Sequence, residues 1–413
     1  MYNRLKAEIE EIKLIDDHSH IGMGEYYKVS PLSGGGAIKF DIFRSPEESS
    51  NGFPYLRDLH YKSYEALYGF TKEDLQNVDK RAELTEKYEK IREQDIDGLI
   101  DKAMEIAGVE KAICNYFYKT NGWYKGEKLY YIPSLDELCF PFDNSYYVKN
   151  RTFGKLFIDC CEYTLEFLKK EHQYEEKGFE NYLQFIDDVV ERYVKTGSPA
   201  LKFVLAYERS TYFEKVPETE GLELYRKAQE GDLGAYTRLQ DLIVWHIMRL
   251  AVKYDVPVQW HFAITDNLIS AFDPLNLSNM IADPELWNCK IVILHGAYPR
   301  FGSAEALAVG GLLPNKVYLD ISGRIMFANH PKIVANMLRG WLEKPVMWDK
   351  IMYGSDTING ERDIINSARV GRDGVYYALA GMIDDDIIDE DTAMDIARKI
   401  LRENAIKVYK LNL

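Results

Sequence analysis

Cysteine and long apolar runs are scarce in this 413-residue sequence, and each shortage excludes a class of protein. The five cysteines form no CxxC pair and no spaced framework, which argues against a disulfide-stabilised domain. Cys160 and Cys161 lie in an apolar helical pattern, so buried thiols are expected there. No segment predicts a membrane span, and the N-terminal residues lack the apolar core of a secretion signal. The sequence predicts a cytoplasmic protein with reduced cysteines.

Positive charge is also in deficit. The chain has 51 lysines and arginines against 66 acidic residues, which gives a formal net charge of −15. Because no basic stripe could offset the repulsion of phosphates, nucleic acid is excluded as a partner. The sign of the surface charge does not identify a substrate, since a metal or a few arginines can invert the field inside a pocket.

Short apolar runs alternate with longer helical patterns, which is typical of βα units and a parallel sheet. Eight runs qualify as strands, the number that a (β/α)8 TIM barrel needs. We therefore predict one α/β domain over residues 1–413. The predicted strands are Lys13–Ile15, Ala112–Cys114, Leu129–Ile132, Leu201–Ala206, Val256–Trp260, Ile291–Leu294, Val317–Ile321 and Ile351–Tyr353.

Two segments exceed what a minimal barrel needs. Residues 22–108 follow the first strand, begin with the glycines of 34–36 and then become helical and charged. Residues 140–198 follow the third strand and are also helical in pattern. We predict both as helical insertions, candidates for a lid or specificity cap, because loops after barrel strands build substrate sites. Leu239–Tyr254 and Thr392–Tyr409 are the clearest predicted helices.

The most informative motif is the Asp-x-His-x-His run at the end of the first strand. Side chains two residues apart on a strand point to the same side, so Asp16, His18 and His20 are expected to share one side. Asp17 and Ser19 are expected to face the other side. Two imidazoles at the carboxyl end of a barrel strand would form a ready pair of metal ligands.

Later strands end in residues of the same kind. His261 ends the fifth strand, His295 ends the sixth, and Asp356 ends the eighth. The chain has only eight histidines, and four of them fall at predicted strand ends. Because the carboxyl ends of barrel strands meet at one mouth, these side chains are expected to converge there.

In this arrangement of histidines and aspartates the chain resembles the amidohydrolase superfamily. The segment Ile400–Tyr409 is also similar to the closing helix of its "amidohydrolase 2" branch. The resemblance extends from Asp16 to Tyr409 and implies a metal-dependent TIM-barrel enzyme. The same pattern occurs in hydrolases, decarboxylases and uronate isomerases, so the resemblance does not fix the reaction.

The strand ends and the resemblance together imply one divalent metal held by His18, His20, His261 and Asp356. Zinc is the expected ion, with manganese and iron as alternatives. A water activated by the metal would attack the substrate. By resemblance, Asp356 would also accept a proton from that water. His295 would polarise the substrate carbonyl or stabilise an oxyanion.

The expected number of metals depends on the fourth strand. Binuclear members of the superfamily carry a lysine at the end of this strand, where it bridges two ions. Here Lys202 lies near the start of the predicted strand. We therefore expect one metal and read Lys202 as a structural or ion-paired residue. A bridge by Lys202 or by Glu208 is the alternative, and for Glu208 a solvated loop carboxylate is the more common outcome.

Further residues near strand ends are candidates for support or substrate binding. Asp16 is expected to support the metal ligands or to be a buried structural carboxylate. Asp320 and Ser322 end the seventh strand and are candidates to line the pocket. The residues that could bind a substrate carboxylate, or could be ordinary loop residues, are Tyr207, Arg209, Tyr298 and Arg300.

The leading functional hypothesis is metal-dependent hydrolysis of a small amide, lactone or ester. The alternative is uronate-type isomerisation or decarboxylation of a small carboxylic acid, and the long segment after the first strand is reminiscent of uronate isomerases. A non-catalytic binding or regulatory protein on the same barrel is a lesser alternative. A small-molecule substrate is the expected partner, and a homo-oligomer is expected only by analogy with other barrels.

Overall fold

The protein has an α/β fold with eight parallel strands in the part of the chain that the structure describes. The strands are β1 (Leu14–Ser19), β2 (Val109–Tyr116), β3 (Leu129–Pro133), β4 (Leu201–Phe203), β5 (Val258–Trp260), β6 (Ile291–Ile293), β7 (Val317–Asp320) and β8 (Ile351–Met352). The structure, a computed structural model, describes residues 2–22, 53–116, 124, 126–263, 272–310, 316–327, 329–358 and 360–413.

All eight predicted strands are confirmed, but several of their ends differ from the prediction. β1 continues to Ser19, four residues beyond the predicted end, because its polar residues are buried rather than exposed. β4 ends at Phe203, since Leu205–Tyr207 turns into a 3-10 helix. The sequence pattern located the strands through their apolar residues and therefore misjudged polar or turning ends.

The strands pair in two parallel sheets, one with the order β1-β2-β3 and one with the order β4-β5-β6-β7-β8. A single parallel bridge between Ser134 and Lys202 connects β3 with β4. On the other side, the backbone N–H of Asp17 donates to the carbonyl of Tyr353 at 3.0 Å, which connects β1 with the residue that follows β8. A continuous ladder between the two sheets is not found among the described residues.

Helices separate the strands. The predicted segments 22–108 and 140–198 are largely helical where the structure describes them, whereas the glycines of 34–36 lie outside the described residues. The helices are α1 (Asn3–Glu11), α2 (Pro54–Tyr68), α3 (Lys72–Gln76), α4 (Arg81–Ala107), α5 (Ser145–Asn150), α6 (Gly154–Glu171), α7 (Phe179–Lys195), α8 (Gly221–Gln229), α9 (Leu233–Tyr254), α10 (Ser278–Ala282), α11 (Phe301–Val309), α12 (Arg324–Phe327), α13 (Pro331–Leu342), α14 (Arg362–Asp384), α15 (Glu390–Arg398) and α16 (Asn404–Tyr409).

The two helices predicted most clearly are present with different bounds. α9 begins at Leu233, six residues before the predicted start, because Asp232 caps it by accepting the N–H of Ala235 at 3.0 Å. It ends at Tyr254, as predicted, and Asp255 follows it in a left-handed conformation with φ of 50°. The predicted helix Thr392–Tyr409 is divided by a π-helical turn at Lys399–Glu403.

An apolar cluster, here called the apolar layer, joins strands of both sheets to α16. On each contributing strand these residues precede the polar residues of the carboxyl end, so the layer lies on the amino-terminal side of the candidate site. Its members from the strands are Ile15, Ile113, Ile132, Val292 and Met352, and its members from α16 are Ala405, Val408 and Tyr409.

The cysteine prediction is confirmed. All five cysteines are buried free thiols, including the adjacent Cys160 and Cys161. Burial raises the pKa of the Cys160 thiol to about 12, so it carries no charge at neutral pH. None of the described helices is both long enough and apolar enough to span a bilayer.

Candidate metal centre

Six titratable side chains meet at the carboxyl ends of the strands and form what we call the polar cluster. β1 supplies His18, β4 supplies Lys202, and the residues that follow β1, β5, β6 and β8 supply the others. The members of the polar cluster are His18, His20, Lys202, His261, His295 and Asp356.

Three members of the polar cluster are close enough to share a metal ion. His18 Nε2 lies 3.2 Å from Asp356 Oδ1, and His20 Nε2 lies 3.3 Å from the same oxygen. One ligand atom from each of these residues lies within 4.8 Å of the other two, and no other described group of three has this geometry. Backbone hydrogen bonds hold the arrangement, because the N–H groups of Ser355 and Asp356 both donate to the carbonyl of His18.

A hydrogen bond orients His20 toward this group. His20 Nδ1 lies 2.9 Å from the carbonyl oxygen of Asn115, on the neighbouring strand β2. A carbonyl oxygen only accepts hydrogen bonds, so Nδ1 of His20 carries the proton. Nε2 is then unprotonated, and its lone pair is directed toward the side of the site where Asp356 lies. This is the usual way in which a second partner fixes the tautomer of a metal-binding imidazole.

His261 and His295 form a pair beside the group. His295 Nε2 lies 3.0 Å from His261 Nδ1, and His295 Nδ1 lies 2.8 Å from Ser322 Oγ. His295 Nδ1 is also 3.9 Å from Asp356 Oδ2. His261 is not part of the three-residue group, so its role as a fourth ligand stays a prediction. Its Nε2 atom is buried and has no hydrogen-bond partner among the described residues.

Close backbone approach at Gly323 allows this packing. Gly323 has a φ of 67°, and a Cβ there would lie 2.7 Å from His295 Nδ1 and 3.1 Å from Asp356 Oδ2. Any side chain at this position would displace the imidazole or the carboxylate, and the positive φ adds strain for a non-glycine residue.

Lys202 belongs to the site, although the sequence favoured a structural or ion-paired lysine and kept a metal bridge as the alternative. Its Nζ lies 3.3 Å from His18 Nε2, and the side chain is buried. Burial lowers the pKa of Lys202 to about 8, although nearby carboxylates, led by Asp356 and Asp136, act in the opposite direction. Because β4 has only three residues, a lysine in its middle is already close to the carboxyl end of the strand.

Three imidazoles of the site are neutral and Asp356 is ionised. Burial, with the nearby Lys202 ammonium, lowers the pKa of His18 and of His261 well below the usual value. Burial also lowers the pKa of His295. Burial alone would raise the pKa of Asp356, but the nearby side chains of His295, His18 and His20 hold it well below its usual range.

The two aspartates before His18 take different places. Asp16 Oδ1 accepts the N–H of Ser355 at 2.8 Å, so it supports the backbone next to Asp356. Burial raises the pKa of Asp16 to about 7. The expectation that Asp17 faces away from the site is wrong. A Cβ on Gly354 would meet both Asp17 Oδ1 and Asp320 Oδ2, and Asp320 Oδ1 accepts the backbone N–H of His295.

The physical reason for the place of Asp17 is an irregular register in β1. Its pairing with β2 shifts between Asp16 and Ser19, which breaks the strict alternation of side chains that the prediction assumed.

The residues after β4 differ in what they contact. Tyr207 stacks on His261, with ring centroids 4.9 Å apart and an angle of 29° between the planes. Glu208 is buried, so its interpretation as a solvated carboxylate is wrong, and burial raises its pKa well above the usual value. The guanidinium of Arg209 is bound by Asp241 and by Gln240 Oε1, both on α9.

The candidates after β6 also have partners outside the polar cluster. Arg300 Nη1 donates to Asp273 Oδ2 at 2.8 Å. Tyr298 packs edge-on against Phe301, and its backbone N–H donates to the carbonyl of His295. Among the candidates for substrate binding, the structure therefore brings Tyr207 directly against the polar cluster.

Asp136 is a buried carboxylate that sequence reasoning missed. It lies three residues after the end of β3, and this position shortly after a strand, which His261 also has after β5, was the available signal. Its Oδ1 accepts the N–H of Val204 at 2.7 Å, and its Oδ2 has no partner among the described residues. Burial raises the pKa of Asp136 to about 7.

Comparison with solved structures shows a shared fold. A Lactobacillus casei protein assigned as a metal-dependent hydrolase is 14% identical, with a TM-score of 0.63 over 98% of this chain and 97% of the other. A uronate isomerase from Thermotoga maritima is 11% identical, with a TM-score of 0.66 over 98% and 96%. A glucuronate isomerase from Caulobacter crescentus is 12% identical, with a TM-score of 0.65 over 100% and 94%.

At such low identity the likeness to these structures carries the fold alone. No curated protein matches the sequence. Residues 199–411 match the family described as amidohydrolase, and this match includes β4 to β8 and four of the six members of the polar cluster. Because the match covers more than half of the sequence, the chain belongs to the amidohydrolase family.

Proposed function

We propose that the protein is a metal-dependent enzyme that hydrolyses a small amide, lactone or ester. The observation that carries the proposal is the convergence of His18, His20 and Asp356, whose ligand atoms lie within 4.8 Å of one another at the carboxyl ends of the strands. We further infer that the two sheets close into one (β/α)8 barrel, because strands of both contribute to the apolar layer.

The residues fit one divalent ion. Two imidazole nitrogens and an ionised carboxylate form a donor set that suits zinc, manganese or iron. His261 Nε2, buried without a partner among the described residues, supports His261 as a further ligand. We propose zinc as the ion, with manganese and iron as alternatives. A bound ion would polarise a water or a substrate oxygen and lower its pKa.

The side chains around the ion would have different roles in the reaction. Asp356 faces His18 and His20 through Oδ1, and its Oδ2 is directed toward His295. Oδ2 is therefore the atom that would accept a proton during the reaction. His295, neutral and held by Ser322, would donate a hydrogen bond to the substrate carbonyl.

Uronate-type isomerisation is the second candidate. The uronate isomerases with similar folds match this chain over nearly its whole length, including the helical segment between β1 and β2. Isomerisation would use the same ion and the same proton acceptor, but it would move a proton between neighbouring carbons. Decarboxylation of a small carboxylic acid is a third reaction compatible with the same ligand set.

A substrate panel on the zinc-loaded protein tests these reactions. Release of acid from lactones and esters, or of amine from amides, is expected for the hydrolase, and a His18→Ala/His20→Ala variant should show none of it. Conversion of an aldose uronate to a ketose, or release of carbon dioxide, without any hydrolysis would refute the first proposal. A protein that binds zinc but turns over no compound would support the non-catalytic alternative.

Some expectations about the protein's surroundings stay predictions. We propose a small-molecule substrate, because the polar cluster lies within the fold rather than on an extended surface. A cytoplasmic location and a homo-oligomer are predictions from the sequence. The same holds for Arg209, Glu208, Tyr298 and Arg300 as substrate-binding residues.

A further inference from the structure

An aromatic stack connects a helix outside the barrel strands with the polar cluster. Phe157, on α6, stacks on Tyr207 with ring centroids 4.1 Å apart and an angle of 20°. Tyr207 in turn stacks on His261 at 4.9 Å and 29°. Phe153, one helical turn before Phe157, contacts the edge of Tyr207 at 6.1 Å and is 43% exposed. The stack therefore runs from the protein surface to His261.

Besides Tyr207, the described contacts of His261 are a backbone hydrogen bond and its contact with His295, whose ring centroid lies 4.7 Å away and whose plane is inclined by 73°. The backbone N–H of His261 donates to the carbonyl of Phe203 at 3.0 Å, which holds the main chain. Among the described residues, its Nδ1 has one hydrogen-bonding contact, with His295. Rotation about the last side-chain bond of histidine is broad and only weakly restricted. The face of Tyr207 limits this rotation by packing against the face of the imidazole.

Phe157, the outer ring of the stack, comes from a segment outside the strands. Phe157 belongs to segment 140–198, which the sequence predicted as an insertion and a candidate cap. Tyr207 lies in the 3-10 turn that follows β4. Phe157 stacks on one face of the Tyr207 ring, so this face would lose its stacking partner without Phe157. The helix thus acts on the site through two successive ring contacts, and it needs no direct contact with a metal ligand.

We propose that Phe157 and Tyr207 are positioning residues that set the orientation of the His261 ring for metal binding. The inference rests on the proposed function, because it assigns a consequence to His261 as a ligand. Supporting residues around metal ligands commonly change metal affinity by about 10-fold to 100-fold when they are replaced.

The test compares Phe157→Leu with Ile158→Val. Ile158 is the next residue of α6 and is fully buried, but it takes no part in the stack, so its variant controls for a general loss of packing. The first readout is the ring proton signal of His261 in metal-free protein with labelled histidines, assigned by its absence in His261→Gln. Phe157 is one ring removed from His261, so a changed signal reports a shift of Tyr207 or of the imidazole.

We expect the His261 signal to move in Phe157→Leu and to stay in place in Ile158→Val. The second readout is the rate at which zinc-loaded protein releases zinc to a chelator, which should rise about tenfold in Phe157→Leu and stay unchanged in Ile158→Val. Tyr207→Phe keeps the ring and should behave as the wild type, whereas Tyr207→Leu should behave as Phe157→Leu. The two Tyr207 variants decide the question if Phe157→Leu does not fold.

Equal zinc release from Phe157→Leu and Ile158→Val, or an unmoved His261 signal, would overturn the proposal. A wild-type protein that binds no zinc contradicts the proposed function instead. In that case the His261 signal alone decides whether the stack positions the ring.

Discussion

The polar cluster and the apolar layer are built on the same strands, yet they follow opposite rules. On β1 the two are three residues apart, at His18 and Ile15, a separation of roughly 10 Å along a strand. In the apolar layer every side chain gains from burial. In the polar cluster burial removes the charge from imidazoles and leaves His18 Nδ1 and His261 Nε2 without partners among the described residues.

The difference shows that the apolar layer stabilises the fold, whereas the polar cluster destabilises it. An unsatisfied buried polar atom costs about 1–3 kcal/mol, so the polar cluster is maintained at the expense of the free energy of folding. The apolar layer, which α16 completes, offsets part of this cost. Substitutions in the two regions should therefore have opposite signatures in metal content and in stability.

The largest effect is expected in the polar cluster. His18→Ala/His20→Ala should reduce the metal content from about one ion per chain to nearly none, because it removes two of the three converging ligands. Its free energy of unfolding without metal should fall little. Elemental analysis and urea unfolding of metal-free protein measure the two quantities.

Retention of the ion in that variant would contradict the assigned ligands. About two ions per wild-type chain would instead make Lys202, with His261 and His295, part of a second metal site and would revise the expectation of one metal.

The opposite signature is expected in the apolar layer. Ile113→Ala should lower the free energy of unfolding by about 2–5 kcal/mol and leave the metal content of the folded protein unchanged. Ile113→Val, which removes less volume, should cost about 0.5–1.5 kcal/mol. Urea unfolding checks both values. A variant that folds stably but loses metal would show that the two regions are coupled.

A smaller effect depends on pH. Burial raises the pKa of Asp136 to about 7 in the folded protein, above the value of an unfolded aspartate. The folded state therefore binds the carboxyl proton of Asp136 more tightly than the unfolded state does. The stability that comes from this proton is present at low pH and is lost as the pH rises toward about 7. Asp136→Asn should remove this loss. Between pH 5 and pH 8 the wild type should lose on the order of 2 kcal/mol more than the variant. Parallel pH profiles of the two proteins would argue against a protonated Asp136.

The smallest effect concerns the residue that joins the two regions. The ring of Tyr409 belongs to the apolar layer, while its hydroxyl donates to Asp17 Oδ2 at 3.1 Å and accepts from Gln259 Nε2 at 2.9 Å. Tyr409→Phe keeps the ring and should cost about 1 kcal/mol with unchanged metal content. Loss of metal in this variant would mean that Asp17 controls the ligands, and the separation of the two regions would then fail.

The apolar half of this comparison could be predicted from the sequence, because it depends on local pattern. Apolar runs identified all eight strands, and histidines and aspartates at their ends identified most of the polar cluster. These signals involve residues close together in the chain. They record which side chains must be buried and which residue types bind metals.

The features of the site that the sequence did not predict depend on partners that are distant in the chain. Arg209 was a candidate for binding a substrate carboxylate, but its guanidinium is bound by Asp241, 32 residues away. The place of Lys202 depended on how soon β4 ends, and the place of Asp17 depended on an irregular register between β1 and β2. None of these features leaves a periodic signal in the sequence.

The contribution of α16 to the apolar layer has a consequence for synthesis of the protein. Each of the eight described strands precedes α16 in the chain, so the ribosome has made these strands before Ala405, Val408 and Tyr409 emerge. Until then the apolar side chains of these strands lack their cover. A nascent chain of this length would be a target for chaperones that bind apolar segments, and it would leave them once the helix docks.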